Sequence, residues 1–349
     1  MKKKNHLAAL LVVVILSMAC RFSRPEAGGE NTPEPTSVDS TAAPSTLSPT
    51  SEPQAQTLQF SIGRNDYTIN VDDTPREFIV YVPAGYDPSS RTPVVVMCHG
   101  SNQHPNTMYE NTSWVRKADE ENIIIVFPAS WKYPLISEPG VHEKWNTPGT
   151  AMDIPPGTEL KDDVKFIRAI IDNLKLTFNV DENRIFASGF SNGGGFVITR
   201  LLSEMNDVFS AFATGGAGLL NEEATNSVPI QTHESLYNII GSEDNKISEG
   251  QGISVPFPLG EQEILNHPNF GSLLQSTTAY LSLEMSYLVE VQPDFTRFTF
   301  DKSLVGSNNE YVFMMIKGLH HVYPSGDDNR TNLDAADLFW DFFLKHPKP

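Results

Sequence analysis

Residues Gly189-Phe190-Ser191-Asn192-Gly193 carry the G-x-S-x-G spacing, which sets a serine on a sharp strand-to-helix turn with its hydroxyl presented for nucleophilic attack. Glycines two positions to either side let neighbouring backbone pass close to a central residue held in an unfavourable conformation. A serine hydroxyl is a weak nucleophile at neutral pH, so it needs a histidine to take its proton and an acid to orient that histidine. Where this motif serves catalysis, the acid and then the histidine follow the serine along the chain. Glu243 and Asp244 follow the apolar run 236–240, and Asp244 is the preferred acid, the alternative being a solvated turn. His320 and His321 follow the apolar run 311–316, and order and spacing leave the choice between them open. Acyl transfer also needs donors aimed at a developing oxyanion. The backbone N–H of Asn192 is one candidate, and that of Ser101, in the loop His99-Gly100-Ser101 after an apolar run, is the other. His99 is then expected to hold that loop. No histidine pair has H-x-x-x-H or Cys/His spacing, so neither a metal nor a cofactor is expected.

These residues need elements to position them. Runs 94–98 and 123–127 are β-branched and apolar, as in strands buried on both faces, and 184–187 is a short apolar strand leading into the serine turn. Between them, 109–121 and 160–178 read as helices, the second with Asp162 and Asp163 near its positive end. A helix is expected from Asn192 to Glu204, further strands at 209–213, 236–240 and 311–316, and helices at 273–288 and 332–345. Segments 59–71 and 77–82 look like antiparallel edge strands. This alternation predicts an α/β fold, a mostly parallel central sheet with helices on both faces. The stretch 247–295 reads either as a lid or as an enlarged crossover.

The first twenty residues join Lys2, Lys3 and Lys4 to an apolar run, Leu7 to Leu16, too short to span a bilayer, and then Ser17-Met18-Ala19-Cys20. This pattern reads as a lipoprotein-type signal peptide over 1–20, with Cys20 as the lipidated residue and ordinary cleavage nearby as the alternative. Residues 21–57, rich in Pro, Ser and Thr and poor in apolar side chains, read as a disordered linker, and 58–349 as a single catalytic domain. Lys and Arg number 25 against 43 Asp and Glu, a net charge of −18, which argues against nucleic acid and anionic membrane as partners. Membrane association is expected only through a lipid anchor, the protein being secreted or tethered at the cell surface, and no obligate protein partner is implied. Cys98, at the end of an apolar strand, reads as a buried structural thiol.

Several stretches together resemble the secreted esterases grouped with polyhydroxybutyrate depolymerases and feruloyl and acetylxylan esterases, of the α/β-hydrolase fold. They are Tyr81-Val82-Pro83-Ala84-Gly85-Tyr86, 94–100, 162–167, 180–186, 189–194 and Gly241-Ser242-Glu243-Asp244. The resemblance implies an extracellular serine hydrolase that cleaves carboxylic esters through a Ser-His-Asp triad and an acyl-enzyme. That family's histidine motif, Gly-His-x-Trp/Tyr-Pro, corresponds to His320-His321-Val322-Tyr323-Pro324, which makes His321 the base and sets His320 where relatives carry glycine. It also implies that Trp145 lies near the acyl or leaving-group pocket, a packing role in the core being the alternative, with His320 a second substrate-side residue. The family's disulfides are absent. The competing readings are an exopeptidase or amidase using the same triad, and a surface lipoprotein that binds without chemistry.

Overall fold

The computed structural model describes residues 55–218, 233–249, 253–325 and 332–349. The signal peptide, Cys20 and nearly all of the linker expected from the sequence lie outside the described residues. Among the described residues one sheet of ten strands dominates, in the order β1-β2-β4-β3-β7-β8-β9-β12-β11-β10. Its centre is parallel: β3 (Thr92–Cys98), β4 (Ile124–Pro128), β7 (Val180–Phe190), β8 (Ala211–Gly215), β9 (Ser235–Gly241) and β12 (Tyr311–Ile316). Apart from the solvent-reaching start of β7, these strands are buried almost throughout, as their continuous apolar character dictates. β1 (Gly63–Val71) and β2 (Thr74–Val82) add an antiparallel hairpin at one edge, and β11 (Phe295–Phe300) and β10 (Leu288–Val291) extend the other antiparallel.

Two apolar layers fill the space between sheet and helices. One gathers α4 (Asp163–Thr177), the helix after Ser191 and α9 (Pro268–Tyr280) on one face. The other gathers α1 (Pro105–Asn111), α2 (Trp114–Glu121) and α10 (Ala335–Phe343) on the opposite face. In the second, Phe186 stacks on Phe343 at 4.5 Å, which ties β7, the strand that delivers the serine, to the final helix. Each such fully buried aromatic contributes roughly 2–3 kcal/mol of transfer free energy.

Several elements depart from their expected bounds. The single helix expected over 109–121 is two, because Thr112 is extended (φ −111°, ψ 149°) and breaks the run. The break turns Trp114 fully inward. The helix expected at 273–288 is α9, shifted toward the N-terminus: Pro268 opens it after a His267 cap, and Ser282, left-handed at φ 56°, closes it. Strands β10 and β11, and a small ribbon of β5 (Trp131–Pro134) with β6 (Val141–Lys144), have no counterpart in the periodicity, being short or mixed in polarity. Within 247–295, Ile264, Phe270, Leu273 and Leu274 are buried in the core, so the described part packs as a crossover between β9 and the far edge.

Asp162 caps α4 by accepting from the Lys165 N–H at 3.0 Å, as its place at the helix start predicts. Asp163 differs from expectation: it is wholly buried and pairs with Arg76 of β2 at 2.6 Å. Its other oxygen accepts the Asn146 N–H at 2.7 Å, so the pair anchors the 145–146 chain beneath the site.

Candidate active site

The serine turn follows from two close approaches that only glycine permits and a third that is tight. A Cβ at Gly189 would lie 2.5 Å from the Gly193 carbonyl oxygen, and one at Gly193 would lie 2.3 Å from that of His99. A Cβ at Gly100 would meet the Ser191 Cβ at 3.2 Å. The crowded turn drives Ser191 to φ 52° and ψ −122°, a conformation that costs on the order of 1–3 kcal/mol. Two hydrogen bonds hold it there: Ser191 N–H donates to Gly215 O at 2.9 Å, and Gly195 N–H donates to Ser191 O at 2.8 Å. The helix that follows, α5 (Asn192–Phe196), continues as a π-helical turn, Val197–Leu201, and ends in Leu202–Glu204.

Ser191, Asp244 and His321 come together from three strand ends. His321 Nε2 lies 2.8 Å from Ser191 Oγ, and His321 Nδ1 lies 2.8 and 2.9 Å from the two Asp244 oxygens. A carboxylate only accepts, so Nδ1 carries the proton and the Nε2 lone pair faces the serine hydroxyl. Asp244 is buried and also accepts the N–H groups of Lys246 and Ile247 at 3.1 Å each, which fixes its carboxylate at the start of the short helix Asn245–Ser248. Glu243, the competing acid, instead pairs with His320 at 3.3 Å, and that histidine is exposed. The adjacent histidines are thus divided: His321 faces the serine and His320 faces outward, where nothing in its contacts marks it as substrate-facing.

The loop carrying His321 is built from both sides. Gly241 lies so close to it that a Cβ would meet Leu319 O at 2.1 Å, and Ser242 Oγ accepts the Gly318 N–H at 2.8 Å. Gly216, left-handed at φ 61°, leaves room for the imidazole, which a Cβ there would approach to 3.1 Å. Phe190 packs on the same ring with centroids 5.0 Å apart. Tyr323 accepts from Trp114 Nε1 at 2.9 Å, anchoring the far end. Gly216 is not legible as a site residue in the sequence, although a Thr214-Gly215-Gly216 run at a strand's carboxyl end marks a tight passage.

The loop after β3 is fixed as closely. His99 is buried: its Nε2 accepts the Ser130 N–H at 3.0 Å, so its Nδ1–H donates to Gly100 O at 2.8 Å. Burial pushes its pKa down to about 4, so the ring stays neutral and the tautomer that holds Gly100 O persists. Gln103 Oε1 accepts the Gly100 N–H at 2.8 Å. In a trans peptide the N–H points opposite the carbonyl, so holding Gly100 O also sets the direction of the Ser101 N–H. The Asn192 N–H, in the first turn of a helix, has no intrahelical partner to satisfy. Its side chain is held by the Trp145 N–H, donating to Oδ1 at 2.7 Å.

Trp145 departs from its expected place at the substrate. It is fully buried, stacks on Phe196 at 4.9 Å and donates Nε1–H to His99 O at 2.8 Å. With no accessible surface it acts as a brace between the loop after β3 and the helix after the serine. Cys98 is likewise wholly buried, and burial raises its thiol pKa well above the ordinary range, in keeping with a structural thiol.

A serine hydroxyl, an imidazole and an anchored carboxyl group in this arrangement can carry out acyl transfer where backbone donors meet the developing oxyanion. A family model described as Phospholipase/Carboxylesterase matches residues 85–252, a span that holds Ser191 and Asp244. Over 149 residues the chain is 31% identical to a bifunctional acetylxylan esterase/xylanase of Neocallimastix patriciarum, covering 43% of this chain and 19% of that protein. Over 181 residues it is 25% identical to feruloyl esterase B of Piromyces equi, covering 51% and 31%. The match spans less than a third of each of these curated relatives. The S-formylglutathione hydrolase structure from Agrobacterium tumefaciens superposes with a TM-score of 0.51 at 12% identity, over 83% of this chain and 98% of that one. The fold is therefore that of the α/β-hydrolases, and the resemblance to acetylxylan and feruloyl esterases holds.

Proposed function

We propose that this chain, of α/β-hydrolase fold and similar to carboxylesterases, is a serine esterase that works through a covalent acyl-enzyme on Ser191. The observation that carries this reading is the continuous relay from Ser191 Oγ through His321 to Asp244, with every link at 2.8–2.9 Å. His321 Nε2 takes the hydroxyl proton as Oγ attacks the ester carbonyl. The N–H groups of Asn192 and Ser101 stabilise the resulting oxyanion. Collapse of the tetrahedral species expels the alcohol, which takes its proton from the imidazolium, whose charge Asp244 balances. Water, deprotonated by His321, then attacks the acyl carbonyl and releases the acid.

The substrate class is an ester borne on a polysaccharide, acetyl or feruloyl, with a polyester as the alternative. Its support is the similarity to relatives named for those activities. Export follows from the Lys-rich start, the apolar run and Cys20, which also supply a lipid tether at the cell surface. The test compares wild type with Ser191→Ala on a short-chain aryl ester, methyl ferulate, acetylated xylan, polyhydroxybutyrate and a peptide amide. The expected result is ester turnover in the wild type, greatest on acetylated xylan or methyl ferulate, and loss of at least about 10³-fold in the variant. Full activity in the variant, or a preference for the amide, sinks the proposal.

A further inference from the structure

The strand at one end of the sheet, β10, pairs with β11 on one side only. That pairing sets which of its backbone groups are spent. Gln292 N–H donates to Phe295 O at 2.8 Å, in register with the pairs Glu290–Arg297 and Leu288–Thr299. Antiparallel bonding alternates along a strand, so the N–H and C=O groups of Leu288, Glu290 and Gln292 turn toward β11, and those of Tyr287, Val289 and Val291 turn outward. Among the described residues no hydrogen-bond partner meets these outward groups.

Sheets ordinarily blunt a free edge with lysine, proline, a bulge or a covering element. β10 reads Leu-Val-Glu-Val and pairs in unbroken register, and its three apolar side chains are exposed. Its one charge is matched within the same protomer, since Glu290 pairs with Arg297. The opposite edge is defended: β1 exposes Arg64, Asp66, Thr68 and Asn70. A second copy of this chain supplies a free strand that fits β10. Where two copies meet antiparallel about a two-fold axis normal to the sheet, opposed residues share a face, so the axis passes through Val289 or through Glu290. An axis at Glu290 opposes two carboxylates. An axis at Val289 sets Val289 against itself, Tyr287 against Val291, and Leu288 against Glu290. Only residues with outward backbone groups then form the close pairs, each exchanging two N–H···O bonds. Tyr287, Val289 and Val291 of both copies line one face, an apolar row of cross-strand neighbours. The Tyr287 ring is already fixed there, packed on Phe298 and Phe300 with centroids at 5.3 and 5.8 Å.

We propose that the free edge of β10 is the contact through which two copies of this chain associate, antiparallel and centred on Val289. The proposal is independent of the esterase reading. One strand pair buries less than the roughly 1,200 Å² of a standard interface, so the dimer is weak, with a Kd of about 10 µM. The test uses protein carrying Cys20→Ser throughout, so that neither a lipid nor a second accessible thiol contributes, Cys98 being buried. Sedimentation velocity between about 1 and 100 µM compares the unaltered edge with Val289→Lys and with Leu176→Lys, a change at an exposed apolar residue of α4. Thermal melts check that each protein folds. The expected result is passage from monomer to dimer over that range for the unaltered edge and for Leu176→Lys. Val289→Lys, which sets two ammonium groups across the axis, weakens association at least about tenfold. Close pairs hold Cα atoms about 5.5 Å apart, within disulfide reach, so oxidised Val289→Cys should form a covalent dimer and Leu176→Cys should not. This cross-link decides the matter even where Val289→Lys melts early. A monomer throughout the range, an assembly larger than a dimer, association that survives Val289→Lys, or equal cross-linking of the two cysteine variants overturns the proposal.

Discussion

At the scale of single residues, the site depends on side chains held in one protonation state as much as on those that react. His99 is such a group: burial holds its pKa near 4, below the 6.5 of a free histidine. The folded form therefore binds fewer protons than the unfolded chain between those values. The stability it contributes is complete above pH 6.5 and is lost as pH falls toward 4, about 3 kcal/mol in all. Glu234 opposes it. Burial raises that carboxyl to about 7, so its contribution is complete below the ordinary carboxylate range and is lost as pH rises through 7. The difference in unfolding free energy between wild type and His99→Asn isolates the first effect: it should be largest near pH 7 and shrink toward pH 4. A difference that does not vary with pH would show that His99 is not held neutral by burial. Ser191, Asp244 and the pair His320/His321 were legible in the sequence because each ends an apolar run in the expected order. Order and spacing did not divide the two histidines, and only the resemblance of His320-His321-Val322-Tyr323-Pro324 to a family motif pointed to His321; the physical reason, which side of the loop meets Phe190 and Gly216, lies in the fold. The bracing role of Trp145 was equally hidden, because its partners lie 46 and 47 residues away in the chain.

At the scale of elements, the strained turn at Ser191 exists because β7, α5 and the loop after β3 approach more closely than side chains allow. Ala at Gly189 or Gly193 drives a methyl into backbone, so each variant should lose ester turnover and several degrees of melting temperature. Gly195, one turn along the same helix, has nothing within 4 Å of its Cβ position. Gly195→Ala should retain activity and gain up to about 1 kcal/mol from helix propensity. Thermal melts and aryl-ester kinetics on the three proteins check this, and equal behaviour would refute the account of the turn. The buried parallel strands were readable because strands covered on both faces are continuously apolar. The β5–β6 ribbon and the edge strands β10 and β11 were not, since partial exposure mixes their polarity and their pairing is decided by neighbours. The split between α1 and α2 was masked because apolar spacing continues across Thr112, while the helical backbone does not.

At the scale of the whole molecule, the described residues fall within one compact unit that gathers the relay and both proposed oxyanion donors. The N-terminal segment is proposed to serve export and tethering only. A protein starting at residue 55 should therefore match the longer chain in aryl-ester kcat and melting temperature, while Cys20→Ser should abolish incorporation of labelled fatty acid in cells. Slower turnover by the shortened protein, or fatty-acid labelling that persists in Cys20→Ser, would refute that division. The central claim is that Ser191 becomes covalently acylated. Intact-mass and peptide mass spectrometry of the protein quenched during turnover of a slow aryl ester tests it most directly. The account predicts one added acyl group, on Ser191, that accumulates in His321→Ala no faster than in wild type and is absent from Ser191→Ala. Acylation at another residue, or undiminished turnover by Ser191→Ala, would contradict it.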